Sequence, residues 1–454
     1  MGRPSDHQPH DAMDTPPSRA LRSGGRAEED APCVDGLSGR SQPLFAGRRL
    51  GLLIAAFIVT RTIGAFLAGS PRVYTGSLLS IIFDVQTYGS WAHQIVELGG
   101  SPYSGVPIEY PPGVLPFVLA PAVMFTVGGP YLLGFVALMV LIDALGLFGL
   151  VVLARRWGSG LGPWLWVLAL PVLGPLSWVR LDMVPAVATI WAIVAATSSR
   201  WASMGALLAF GAMTKVYAAF LVPAAWVISR RRRAVVVGAV TVLILCVIPF
   251  VRSLDEMATS VAAYHLHRGI QAESLWANGL LIAHRVGGYP VRVVFQFSSD
   301  HVASGISPML VQVSTVLSFA ALLPGIVLAS RRTNRGDVHA LAAIMFATLS
   351  LLLVTTRVLS PQYLLWLIAL GAAVVCLPRS PIRGPVLMLF PAAAATQLLF
   401  PFLATPLVSP DRSALSMLAL GVLTIRNALL LLIAGWSLVA LWRYDRGNHD
   451  RGTG

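Results

Sequence analysis

The residues able to do chemistry lie in a few polar stretches of an otherwise apolar chain. Asp84, Glu109 and Tyr110 fall in one. Lys215, the chain's single lysine, interrupts an apolar run. His265, His267, Arg268, Gln271 and Glu273 form a third stretch, and Arg357 with Gln362 a fourth. A carboxylate among cations suits displacement of a phosphate by a hydroxyl. The carboxylate takes the proton of the attacking hydroxyl, and the cations stabilise the phosphate as it leaves. One carboxylate is enough for a single displacement, whereas glycoside hydrolysis uses a pair. Asp84 is the candidate base; Lys215, Arg268 and Arg357 are the candidate phosphate partners. Each residue also has a plainer reading: Asp84 as the N-cap of the helix that follows it, the cations as snorkelling interfacial side chains, the aromatic residues as an interfacial belt.

Other constellations point away from cofactors. His265 and His267 alternate, which would suit a metal pair on a strand, but no third ligand has a clear spacing and no metal centre is expected. The three cysteines, Cys33, Cys246 and Cys376, match neither a disulfide framework nor a zinc motif. Asp143 lies inside an apolar run and is expected to pair with Arg61 of the first span, in a structural role.

The elements that must position these groups are membrane helices. Only 12% of the 454 residues are charged and 56% are hydrophobic. A water-facing domain carries roughly 25% charged residues, so bilayer is the solvent that fits. Apolar runs at 50–69, 131–153, 234–251, 307–330, 338–355, 384–404 and 415–441 read as spans or near-spans. The net charge of +13 comes from arginines at the ends of these runs, among them Arg155, Arg156, Arg230 to Arg233, Arg331 and Arg332. That is the positive-inside pattern and not a nucleic-acid footprint.

With arginines inside, the chain threads as an all-α polytopic bundle of about twelve helices with both termini in the cytoplasm. Residues 1–46 form a disordered tail, 47–442 the membrane domain, and 443–454 a short C-terminal tail. Two long outer segments, 70–130 and 252–306, carry most of the candidate residues. Residues 85–98 are expected as a helix on the membrane surface, 113–128 as a re-entrant or tilted outer helix, and 201–229 as two short helices meeting at Lys215. Arg180 and Asp182 fall at another outer turn.

The order of motifs carries a resemblance. Phe83-Asp84 through Tyr88, then Pro102-Tyr103, then Glu109-Tyr110-Pro111-Pro112-Gly113 resembles the first outer loop of the GT-C glycosyltransferases. More narrowly, it is similar to the polyprenol-phosphate-mannose-dependent α-1,2-mannosyltransferases of glycosyltransferase family 87. Arg180-Leu181-Asp182-Met183-Val184-Pro185, Thr214-Lys215-Val216-Tyr217, Arg268 through Leu275, and Ser360-Pro361-Gln362-Tyr363-Leu364-Leu365-Trp366 fit the same family in order. The resemblance implies a GT-C-like fold, Asp84 as catalytic base, a polyprenyl-phosphate sugar donor (mannose in the simplest case), an outer-leaflet glycolipid or glycan acceptor, and an active site on the outer face of the cell membrane. It matches Tyr110, Lys215, Arg268, Gln271, Glu273 and Gln362 to motif positions.

Two other classes stay open. A lipid or sugar transporter would carry its buried charges near the bilayer midplane, often within repeated halves, and no internal repeat is visible. A structural partner in an envelope assembly would tolerate Asp84→Asn.

Overall fold

The computed structural model describes Phe45 and residues 47–69, 78–124, 131–332, 335–378 and 380–452. Of the expected 1–46 tail, all but Phe45 lies outside the described residues. The described residues are mostly helical, and the sheet among them is a two-stranded hairpin. Seven helical stretches are long and apolar enough to cross a membrane, and six shorter apolar helices accompany them. The chain is a polytopic membrane protein.

Helix α1 (Arg48–Gly69) is followed by α2 (Leu78–Val96), a short helix α3 (Leu115–Met124) and the long α4 (Tyr131–Trp157). Next come α5 (Leu161–Leu173), a 3-10 turn over Pro175–Trp178, α6 (Met183–Thr197) and α7 (Trp201–Thr214). The chain breaks at Lys215, whose backbone is extended (φ −153°, ψ 120°). It resumes as a 3-10 segment and α8 (Val222–Ile228), so the two-helix reading of 201–229 holds. The core is packed by α4, α5, α6, α14 (Val338–Thr355) and α15 (Leu364–Cys376), which bury almost every aliphatic side chain on the inner side of the bundle.

Helices α9 (Arg232–Val247) and α10 (Leu254–Leu266) form one 35-residue stretch with a kink at Phe250. At 1.5 Å per residue it is roughly 52 Å long, against a hydrocarbon core of about 30 Å. One end carries Arg230 to Arg233 and the other carries His265. The segment 252–306, expected as a long outer loop, is structured. It holds α10, then α11 (Leu275–Gly287), capped by Ser274, whose hydroxyl accepts from the Ala277 amide at 3.1 Å. Strands β1 (Arg292–Gln296) and β2 (Ser299–Ala303) follow as an antiparallel hairpin. Its two-residue turn, Phe297-Ser298, has positive φ at both positions (49° and 58°), as tight hairpins require.

Helices α12 (Ser307–Ala320) and α13 (Leu322–Ser330) make a further span, and α16 (Arg383–Leu387), α17 (Leu389–Gln397) and α18 (Ala404–Val408) make a broken one. Helix α19 runs from Ala414 to Gly452, so the segment 443–452 continues the last span as helix.

Helices α7 and α9 lie side by side at backbone contact. A Cβ on Gly205 would sit 2.1 Å from the Val235 carbonyl oxygen, and one on Gly238 would sit 1.9 Å from that of Ala202. This contact sets where Lys215, at the end of α7, stands relative to the chain that continues into His265 and Arg268. Gly238→Leu is expected to destabilise the detergent-solubilised protein by at least about 1–3 kcal/mol, the usual cost of overpacking. Gly421→Leu, at a position with nothing within 4 Å, is expected to leave the melting temperature unchanged.

Candidate active site

One cavity of about 550 Å³ gathers residues from every polar stretch of the sequence. Asp84, Tyr110, Lys215, His265, Arg268, Gln271, Glu273 and Gln362 line it, together with Arg180, Tyr264 and Tyr363. Three candidates do not: Glu109, His267 and Arg357.

Asp84 sits inside α2, not at its start, so it does not cap the helix. Ile81, Val85, Tyr88 and Ala92 form the buried face of α2, and Asp84 stands at the margin of that face, one turn before Tyr88. Its Oδ2 lies 3.0 Å from Nε of Arg180. Arg180 also donates to the carbonyls of Ile81 (2.5 Å) and Val179 (3.0 Å). The arginine therefore holds both the carboxylate and the backbone of the turn beneath it.

A second pair stands two residues on. Asp182 occupies the N-cap position of α6, yet its side chain caps nothing. Its Oδ2 instead accepts from Nζ of Lys215 at 3.1 Å. Lys215 can reach it because α7 ends there and the backbone turns extended. The ammonium also lies 4.9 Å from the centre of the Tyr110 ring and 5.6 Å from that of Tyr363, within cation–π range. Trp366 is stacked between Tyr217 (3.8 Å) and Tyr363 (4.0 Å), which fixes the Tyr363 ring. Tyr110 is placed by the Pro111-Pro112-Gly113 turn. A Cβ on Gly113 would lie 2.5 Å from the Met213 carbonyl oxygen, so this loop meets the end of α7 through a residue without a side chain.

A further wall of the cavity is built on Arg268. Its Nη2 donates to Ser299 Oγ at 2.8 Å, its guanidinium lies 4.9 Å from the Tyr264 ring centre, and its Nε has no hydrogen-bond partner among the described residues. It is buried, and among the described residues no carboxylate lies within ion-pair distance of it. The hairpin is tied to this wall by backbone bonds from Val302 N to Ile270 O (2.8 Å) and from Ala272 N to Asp300 O (2.9 Å). Ser360 donates to the Gln271 side-chain oxygen at 3.2 Å. Along one side the cavity is apolar, bounded by Phe400, Pro401, Ala404 and Val408.

The residues outside the lining have clear positions. Arg357 donates to the carbonyls of Arg268 (3.0 Å), His265 (2.9 Å) and Leu266 (3.3 Å). It satisfies the open carbonyls at the C-terminus of α10, where a cation also complements the helix dipole. His265 and His267 belong to the end of that helix, not to a strand, and His267 is exposed. Among the described residues no three histidine, cysteine, aspartate or glutamate side chains gather as a metal set would. Glu109 is half-buried behind Tyr110. Burial pushes its carboxyl up to about 7; Arg268 opposes the shift and Asp84 adds to it. Glu273 is also pushed up to about 7, chiefly by burial, with Arg426 pulling the other way.

Sequence reasoning did not find the hairpin side of the cavity, Phe295 to Asp300, nor the apolar strip over Phe400–Val408. The hairpin had a signal: a β-branched and aromatic run between Tyr289-Pro290 and Ser304-Gly305. The apolar strip had none, because it is one more apolar stretch among many.

No family model matches the chain, and no curated protein does. Among solved structures, ArnT from Cupriavidus metallidurans, bound to undecaprenyl phosphate, matches over 88% of this chain and 78% of its own, at 14% identity and a TM-score of 0.41. At that identity and score, the reading of the cavity rests on this chain's own residues.

Glu109 carries a pH signature. Its ordinary value is 4.5 and its folded value about 7. The folded chain thus retains a proton that the unfolded chain has released, and stability falls as pH rises through that window. Glu109→Gln removes the dependence. The melting temperature of native protein minus that of Glu109→Gln is expected to be lower at pH 8 than at pH 5; a constant difference would contradict it.

Proposed function

We propose that this protein is an integral-membrane glycosyltransferase. It moves a sugar, mannose in the simplest case, from a polyprenyl-phosphate donor to a hydroxyl of an outer-leaflet glycolipid or cell-envelope glycan. The observation that carries this reading is the composition of one cavity: a carboxylate anchored through one oxygen, a buried guanidinium with no counter-carboxylate among the described residues, and an apolar side wall.

The groups divide the work as follows. Asp84 takes the proton of the acceptor hydroxyl as the oxygen attacks the anomeric carbon. Arg180 engages its Oδ2, and Oδ1 has no hydrogen-bond partner among the described residues. The bond between the anomeric carbon and the phosphate oxygen breaks, and its electron pair leaves with the polyprenyl phosphate. One displacement inverts the donor's anomeric centre. Arg268 is the anchor for the departing phosphate, because its charge is not already spent on a carboxylate. Lys215 is a weaker partner while Asp182 holds it, and it adds positive potential across the cavity. The apolar strip suits the first isoprene units, and the tyrosine faces suit a sugar ring. Such donors act in a low-dielectric site, where each hydrogen bond to developing charge counts for more than in water. The arginine-rich end of α9 lies at the far end of a 35-residue stretch from the cavity, which supports an outward-facing site under the positive-inside rule.

The test is transfer of labelled mannose from polyprenyl-phosphate-mannose in membranes holding the native chain or Arg268→Gln. Charged hydrogen bonds are worth about 1.5–3 kcal/mol. The variant is therefore expected to raise the KM for donor roughly 10- to 100-fold. An unchanged KM would remove Arg268 from the phosphate site. Donor that crosses the bilayer with its sugar bond intact would instead mark a flippase.

A further inference from the structure

Asp143 lies in the middle of α4, fully buried, and receives four hydrogen bonds. Its Oδ1 accepts from Arg61 Nη2 (3.1 Å) and Trp166 Nε1 (2.7 Å); its Oδ2 accepts from Arg61 Nε (2.8 Å) and Trp178 Nε1 (2.8 Å). Arg61 in turn donates to the Val167 carbonyl at 2.8 Å. One carboxylate thus ties α1, α4, α5 and the 3-10 turn together. Trp178 is clamped on its other side as well: a Cβ on Gly64 of α1 would meet its ring at 2.1 Å.

Trp178 stands two residues before Arg180, so their Cα atoms are at most about 7.6 Å apart. Between them Val179 is fully buried and leaves the turn no slack. The carbonyl of Val179 and that of Ile81 in α2 both accept from Arg180. We propose that Asp143 is a positioning residue for the Asp84–Arg180 pair and acts on it through the indole of Trp178. Its effect on turnover rests on the reading of Asp84 as the base; its effect on the pair does not.

The two tryptophans separate this role from plain structural support. Both donate one hydrogen bond to Asp143, but Trp166 belongs to α5, whereas Trp178 is joined to Arg180 through Val179 alone. Trp178→Phe and Trp166→Phe each remove one such bond. The readout is labelling of Asp84 in purified protein by a hydrophobic carbodiimide, which couples to accessible carboxyls, located by peptide mass spectrometry. The charged and titratable groups that interact with Asp84 among the described residues are Arg180, Glu109, Tyr88 and Tyr110; neither substitution alters any of them. The Arg180 guanidinium, 3.0 Å from Oδ2, covers one side of the carboxylate, and loosening that contact opens it to the reagent.

Trp178→Phe is therefore expected to raise the labelling rate of Asp84 measurably, and Trp166→Phe to leave it near the native rate. Turnover at saturating donor is expected to fall roughly 10- to 100-fold in Trp178→Phe only, with donor KM unchanged, as for a displaced catalytic group. Equal labelling in all three proteins overturns the proposal. So does a rise in both variants that tracks lost thermal stability. Faster labelling without any transfer by the native protein keeps the proposal and sinks the glycosyltransferase reading. Should Trp178→Phe fail to assemble, the double variant Arg61→Met/Asp143→Leu asks the same question. It removes both charges together, which avoids leaving one buried and unpaired.

Discussion

In a protein made of apolar helices, each charge carried below the surface must find its partner within the fold. An ion left alone there costs several kcal/mol after relaxation. Three pairs answer that constraint: Arg61 with Asp143, Arg180 with Asp84, and Lys215 with Asp182. They are also the joints that decide where the remaining elements go. The first binds four elements into a pillar. The second fixes α2 against the turn that leads into α6. The third pins the break between α7 and the segment after it. Because Arg180 and Asp182 are adjacent but for Leu181, the second and third joints share one short loop and hold the cavity's polar floor as a unit.

Arg268 departs from that pattern. It is buried, contacts Ser299 and the Tyr264 ring, and has no carboxylate at ion-pair distance among the described residues. The protein keeps it ordered through Arg357, which grips the backbone carbonyl of Arg268 and the end of α10. In the proposed reading, this buried cation, with no carboxylate beside it among the described residues, receives the phosphate of the donor. In the same reading, the apolar side formed by Phe400, Pro401, Ala404 and Val408 receives the donor's hydrocarbon.

Much of this was legible in the sequence, because its signals are strong and local. Apolar runs bounded by arginine gave the spans, and the break at Lys215 followed from a lysine in a stretch too long for one span. The pairing of Asp143 with Arg61 followed from two charges that could not both stay alone in apolar helices. Other features needed three dimensions. Asp84 looked like a helix cap because the eye starts the helix at the next apolar residue; α2 in fact begins six residues earlier, at Leu78. Arg357 looked like a phosphate ligand because its type fits, but only the fold places it beneath α10. The pairing of Asp182 with Lys215 spans 33 residues and nothing in either motif announces it. The hairpin escaped notice because an outer segment in a membrane protein invites the word loop.

The central claim is that Asp84 is the base of a lipid-linked sugar transfer, and its most direct test is turnover in isolated membranes supplied with polyprenyl-phosphate-mannose. The native chain and Asp84→Asn are compared at matched expression and equal thermal stability. Loss of a general base costs about 10²- to 10⁴-fold, so the account predicts transfer by the native protein and a loss of that order in the variant. Transfer by Asp84→Asn at the native rate would contradict it.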